Sequence, residues 1–165
     1  MKKVLLVLGF LLAGSFNCAS GTSMSSGPSQ NAAHVVVAPD AIQWGDGPPG
    51  LPPGLKMGVL LGDPGKSGPF VLRARLPDGY RIMPHWHSID ENITVLQGTF
   101  LAAGGDTFDP AAMQPMTAGY FLHLPGRMHH FAAARGDTVI QIHGDGPFDI
   151  HYLNPADDPR KAGGK

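Results

Sequence analysis

One stretch constrains this chain more than any other. It runs from Gly79 to Gly98: Gly-Tyr-Arg-Ile-Met-Pro-His-Trp-His-Ser-Ile-Asp-Glu-Asn-Ile-Thr-Val-Leu-Gln-Gly. His85 and His87 stand two apart, and Glu91 follows four residues later. On a helix, residues two apart point to nearly opposite sides; on a strand they share a face, about 6–7 Å apart along the backbone. Pro84 argues against a helix interior. Ser88-Ile89-Asp90 reads as a tight turn, and Glu91 to Gln97 as a return strand with Ile93 and Val95 in step with Glu91. A hairpin of this kind holds two neutral imidazoles and one carboxylate close together, a mixture that suits a divalent transition metal.

The spacing is Gly, five residues, His-x-His, three residues, Glu, six residues, Gly. It resembles the first signature motif of the cupins at every position. The second cupin motif is similar to the stretch opened by Gly119, with Pro125 after five residues and His130 where the histidine belongs. Two positions depart: Arg127 stands where Pro-x-Gly has its glycine, and Ala134 stands where the motif ends in asparagine. The resemblance covers roughly Leu60 to Leu153. It implies a small single-domain bacterial cupin, an all-β jelly-roll barrel of two facing antiparallel sheets, and a homodimer.

The rest of the chain reads consistently with that class. Lys2 and Lys3 precede an apolar core, Val4 to Phe16, too short for a membrane span, and small residues follow at Ala19, Ser20 and Gly21. Residues 1–20 are therefore expected to be a signal peptide, with the mature protein periplasmic or secreted. Cys18 is the only cysteine, so no intramolecular disulfide forms. Its place after the core raises a lipid anchor, but Ser15-Phe16-Asn17 fit a lipobox poorly; the alternative is that Cys18 leaves with the leader. Residues 21–33 read as a flexible tether, 34–153 as the barrel, and 154–165 as a mobile polar tail.

Twenty-three glycines and sixteen prolines punctuate short apolar runs, as in a turn-rich β domain. Strands are expected at His34–Ala38, Met57–Leu61, Glu91–Gln97, Thr99–Ala103, Tyr120–Leu124, Met128–Ala134, Thr138–His143 and Phe148–Leu153. Phe70, Leu72, Ala74 and Leu76 alternate with Val71, Arg73 and Arg75, a half-buried strand. Gly45 to Gly54 is an arm or loop over the surface. Asp109 and Pro110 read as cap and first residue of one helical turn. The formal net charge of −1, or −3 without Lys2 and Lys3, has no basic cluster, which argues against nucleic acid as a partner. No Gly-x-Ser-x-Gly elbow or Walker-type loop competes.

The site reading is a mononuclear centre of His85, His87, Glu91 and His130 holding one divalent metal per chain, with iron, manganese, zinc and nickel all open. The bland alternative is ordinary polar strand residues, since eight histidines make a chance pair easy. The full motif with a third histidine, His130, at the right offset favours the metal. His129 and His130 are neighbours on a strand, so they face opposite ways, and motif counting selects His130. Four protein ligands leave two positions open on a six-coordinate ion, which implies a small-molecule substrate. Oxygenase, isomerase and decarboxylase chemistry all fit; a non-catalytic ligand-binding module is the alternative.

Gln141 and His143 share a strand face and are the candidate catalytic partners. Tyr80, Arg73 and Arg75 lie near the mouth; an inward arginine would bind a carboxylate, but a solvent-facing side is favoured for both. His123 and His151 read as structural or exposed. Trp86, between two ligands, should point away from the metal and pack.

Overall fold

The computed structural model describes residues 34–161. The expected signal peptide and tether lie outside the described residues. Among those described, nine strands carry the fold: β1 (Gly45–Asp46), β2 (Lys56–Leu61), β3 (Gly68–Leu76), β4 (Arg81–Trp86), β5 (Glu91–Gly104), β6 (Gln114–Thr117), β7 (Phe121–Leu124), β8 (His130–Gly146) and β9 (His151–Tyr152). Every pairing is antiparallel.

Two long strands organise the sheet. β5 and β8 pair from Asn92 opposite His143 to Gly104 opposite His130, and the register slips on either side of Gln97. There Gly98 takes φ 74° and, on β8, Gly136 takes φ 71°. A Cβ on Gly98 would lie 2.4 Å from the Asp137 carbonyl oxygen, so the two backbones approach more closely than any other residue allows. The buried Thr138 hydroxyl serves groups that the bulge frees, accepting from the Thr99 amide at 3.2 Å.

The bulge bends both strands, and each half joins a different wall. The first half of β8 lies between β4 and the second half of β5; the second half lies between β3 and the first half of β5. β2 and β1 extend the β3 wall, and β9 extends the β4 wall. The result is the expected all-β jelly roll, built as one continuous curled sheet. Its interior is filled by alternate residues: on β3, Phe70, Leu72, Ala74 and Leu76 are buried, while Arg75 is exposed. Each large apolar side chain buried in this way contributes about 1.5–3 kcal/mol.

Several expectations are corrected. The two strands around Gly98 are one strand, as are the two around Gly136, because a positive-φ glycine serves a bulge as well as a turn. β4 and β5 do not form a hairpin: β8 lies between them, so the first motif crosses from one wall to the other. His34–Ala38 is not a strand; Val35 and Val36 are exposed and unpaired by any ladder. Phe148–Leu153 shrinks to β9. β6 was not foreseen, because Pro115 argues against a strand; it sits on an edge strand, where a missing N–H is tolerated.

The Asp109 cap is as expected: its Oδ1 accepts from the Ala111 amide at 2.9 Å, opening a 3-10 turn at Pro110–Ala112. The Gly/Pro-rich arm is pinned to the barrel by two tyrosines: Tyr152 donates to the Gly50 carbonyl at 2.9 Å and Tyr80 to the Pro52 carbonyl at 2.6 Å. Tyr80 is thus a buried strut rather than a ligand at the mouth. The polar stretch from Asn154, read as a loose tail, is held as far as Lys161, with Arg160 bonded to Asp158 and to the Ile150 carbonyl.

Gly98→Ala should lower stability by about 2–3 kcal/mol, since it adds a Cβ at positive φ against a backbone oxygen. Urea unfolding of the two proteins measures this, and an unchanged midpoint would contradict the role given to the bulge.

Candidate metal centre

The walls bring four polar residues together inside an apolar barrel. His85 near the end of β4 pairs directly with His130, the first residue of β8. Glu91, the first residue of β5, comes from the other wall. His87 follows β4 in the connection between the walls. All four are buried, 3–6 % exposed. Ring centroids are 4.2 Å apart for His85 and His130, 5.0 Å for His85 and His87, and 5.2 Å for His87 and His130. One ring nitrogen from each histidine lies within 4.8 Å of the others. Glu91 Oε2 lies 3.4 Å from His87 Nε2 and 3.5 Å from His130 Nε2.

The backbone sets the tautomers. His85 Nδ1 lies 2.7 Å from the Met83 carbonyl, His130 Nδ1 lies 2.9 Å from the Met128 carbonyl, and His87 Nδ1 meets the Asp149 carbonyl. A carbonyl only accepts, so each ring donates from Nδ1 and keeps its Nε2 lone pair for the centre. His87 Nε2 is buried with no hydrogen-bond partner. An unpaired buried acceptor costs about 1–3 kcal/mol, which a cation at this point would relieve.

The electrostatics agree. Burial, and then the neighbouring His130 and His87 rings, push His85 down to about 3, so it stays neutral. Burial acts against the Glu91 carboxylate, but the adjoining His130 and His87 rings override it and hold the group well below its usual range. Burial likewise opposes charge on His87, and Glu91 overrides it to push that ring up. A buried carboxylate among imidazoles therefore attracts one positive charge. Three imidazole nitrogens and one carboxylate are a donor set for zinc, iron, manganese or nickel.

Supports around the ligands explain their placement. The Asp149 carboxylate accepts from the Ser88 amide at 2.7 Å, the Ser88 hydroxyl at 2.6 Å and His151 Nε2 at 2.8 Å. Burial opposes its charge, but these donors together override it and hold it down at about 2. Asp149 thus fixes the loop whose backbone orients His87, and no motif in the sequence pointed to it. Arg127 donates its amide to the His87 carbonyl at 2.7 Å and takes φ 66°. Standing where the second cupin motif has glycine, it keeps a glycine-like conformation.

Other candidates fall elsewhere. His129 turns outward to Asp106, 2.7 Å away, as the register reading required. Trp86 points away from the cluster and stacks on His151 at 4.1 Å. His123 is exposed, with Nδ1 2.9 Å from Asn92 Oδ1. Gln141 and His143 do not line the barrel: Ile140 and Ile142 do, so their neighbours face outward by strand alternation. Gln141 accepts from Arg73 at 3.1 Å on that outer face. Arg75 lies 3.9 Å over the Trp44 ring, also outside. The favoured solvent-side reading of both arginines holds.

The four residues open on a cavity of about 420 Å³ that Pro48, Pro49 and Gly50 of the Gly/Pro-rich arm and Arg160 also line. That volume is within the usual small-molecule range of about 300–1,000 Å³.

The family model for the ChrR cupin-like domain matches residues 32–149. No curated protein matches the chain. Among solved structures, a candidate acetylacetone dioxygenase from Methylibium petroleiphilum PM1 aligns with TM-score 0.60 and 16% identity, over 77% of this chain and 85% of its own. The polyketide cyclase RemF from Streptomyces resistomycificus aligns with TM-score 0.59 and 15% identity, over 78% and 92%. An RmlC-like cupin from Shewanella frigidimarina aligns with TM-score 0.52 and 16% identity, over 67% and 89%. At these identities the likeness is one of fold.

Cobalt(II) titration followed by visible absorption should give a protein-bound spectrum with His129→Ala and none, or one weakened at least about tenfold, with His130→Ala. The opposite pattern would reverse the register given to these two residues.

Proposed function

The chain belongs to the ChrR cupin-like domain family, and on that premise we propose that it is a metal-dependent enzyme acting on a small organic molecule. His85, His87 and His130 through Nε2, with Glu91 through a carboxylate oxygen, would hold one divalent transition metal. The observation that carries the reading is the convergence of three buried ring nitrogens and a carboxylate on a cavity wide enough for a substrate.

When bound, such an ion supplies Lewis-acid and, if redox-active, electron-transfer chemistry at its open positions. The protein's own part is positional. The Met83, Met128 and Asp149 carbonyls hold the three rings with Nε2 inward. Glu91 balances the ion's charge, and the apolar walls exclude water.

Among the described residues lining the cavity, the ionisable side chains beyond the four are Asp149 and Arg160. Both are engaged, Asp149 by Ser88 and His151 and Arg160 by Asp158. Isomerisation requires a general base poised over the substrate, so this lining supports oxygenase-type chemistry ahead of it. The same lining favours a second reading, in which the metal only anchors a ligand and the domain is a non-catalytic binding module.

We further propose export, supported by Lys2, Lys3 and the apolar Val4–Phe16 run, with Cys18 available for a lipid anchor. Pairing into a homodimer is supported by exposed Val59 and Leu61 on β2. Intact-mass measurement of periplasmic protein and its sedimentation behaviour test these points: an uncleaved product or a monomer would refute them.

Elemental analysis of protein purified without chelator should give about one transition ion per chain, lost in His87→Ala and His130→Ala. Iron-loaded protein should then consume oxygen with apolar oxygen-donor substrates, and each alanine variant should lose at least about a hundredfold in rate. Ligand recovered unchanged at one equivalent per chain, without oxygen uptake, would establish the binding module instead. Protein that stays metal-free after reconstitution would sink both.

A further inference from the structure

The cavity has a polar end and an apolar body, and the strands impose that division. On β5 and β8 the inward residue after the candidate ligand is apolar. Ile93 follows Glu91 on β5, and Ala132 follows His130 on β8, each two residues on and on the same face. The facing wall contributes Leu72, Leu76, Ile140 and Ile142. Among the described residues lining this length, none is charged. Arg73 and Arg75, the arginines that could have met a carboxylate, lie on the outer face. Arg160 also lines the cavity, but Asp158 takes its Nε at 2.7 Å and one Nη at 2.9 Å.

We infer that the molecule bound here is neutral and apolar over most of its length, with its oxygen donors at one end only. This rests on the metal reading above and adds the ligand class. A chelating head would take the positions that four protein ligands leave open. The remaining body would run down the barrel between Ala132 and Ile140. A carboxylate or ammonium at the far end would be buried without a partner, which costs far more than the apolar contact returns. Selectivity therefore comes from tail length and neutrality rather than from an ion pair.

A homologous series of hydroxamates isolates this, because the chelating head stays constant while the tail changes. With cobalt(II)-loaded full-length protein, the visible spectrum reports binding at the metal directly. Affinity should rise from acetohydroxamate through butano- to hexanohydroxamate by about fourfold per added methylene until the cavity is full. Adipic monohydroxamate, which carries the same number of carbons with a terminal carboxylate, should bind at least about a hundredfold more weakly than hexanohydroxamate.

Ala132→Phe fills the space beside His130 and should flatten the series, so that hexanohydroxamate loses its advantage over acetohydroxamate. Should that variant not fold, the series on the unaltered chain decides alone. A cobalt spectrum that responds equally to every tail, or a carboxylate tail that binds as well as the alkyl one, would overturn this inference and leave the metal reading standing. Absence of any protein-bound cobalt spectrum would remove the metal reading, and this inference with it.

Discussion

The candidate centre depends on the bend in β5 and β8. Gly104 lies thirteen positions along the chain from Glu91, and Gly104 pairs with His130. In a straight strand that separation is about 44 Å, far beyond the reach of two side chains. In this fold Glu91 Oε2 lies 3.5 Å from His130 Nε2. The difference comes from folding both strands over at Gly98 and Gly136, so that the ends of one sheet face each other. A glycine is required at the inside of the bend because the Asp137 carbonyl occupies the space where a Cβ would be. Site and fold are therefore one construction: straightening the sheet would separate the carboxylate from the imidazoles.

Closing the sheet creates an electrostatic demand. A carboxylate is driven into an interior of Ile, Leu, Phe and Ala side chains, where an uncompensated charge is strongly unfavourable. The imidazoles answer it in part. Because each ring gives its Nδ1–H to a backbone carbonyl, all three turn a lone pair, rather than a proton, toward the carboxylate. Four electron-rich atoms then face one another, an arrangement that a shared proton relieves partly and a divalent cation relieves fully. His87 Nε2, buried without a partner, is the local sign of that unmet demand.

Much of this was legible in the sequence, in specific places. Period-two alternation gave β3 its inward face, and motif spacing selected His130 over His129. Asp109 and Pro110 announced their 3-10 turn. What was not legible has a common cause: sequence reports local chemistry, while the partner across the sheet decides what it means. Gly98 and Gly136 read as turns and serve as bulges. The Gln141–His143 face reads as interior from the sequence, but the register against β3 gives the interior to Ile140 and Ile142. The first motif looks like a hairpin because its turn is short, yet its two arms belong to opposite walls. Asp149 supports His87 from 62 residues away, with no spacing rule to reveal it. Arg127 shows the converse, a departure in sequence that leaves the backbone conformation intact.

The division of labour among strands bears on how such a site can change. The polar residues come from β4, the connection after it, and the first residues of β5 and β8, all at one end of the barrel. β3 and the second half of β8 contribute only apolar side chains to the cavity. A substitution at Leu72, Leu76 or Ile140 alters the shape available to a ligand without touching a donor atom or the carbonyls that orient the rings. A substitution at His85 or Glu91 does the reverse: it leaves an unpaired buried acceptor or charge and changes little of the cavity beyond. One scaffold can thus retain a donor set for an ion while the molecule its cavity admits changes. The chemistry is then set by the ion and by what the walls admit, and the fold by itself selects neither.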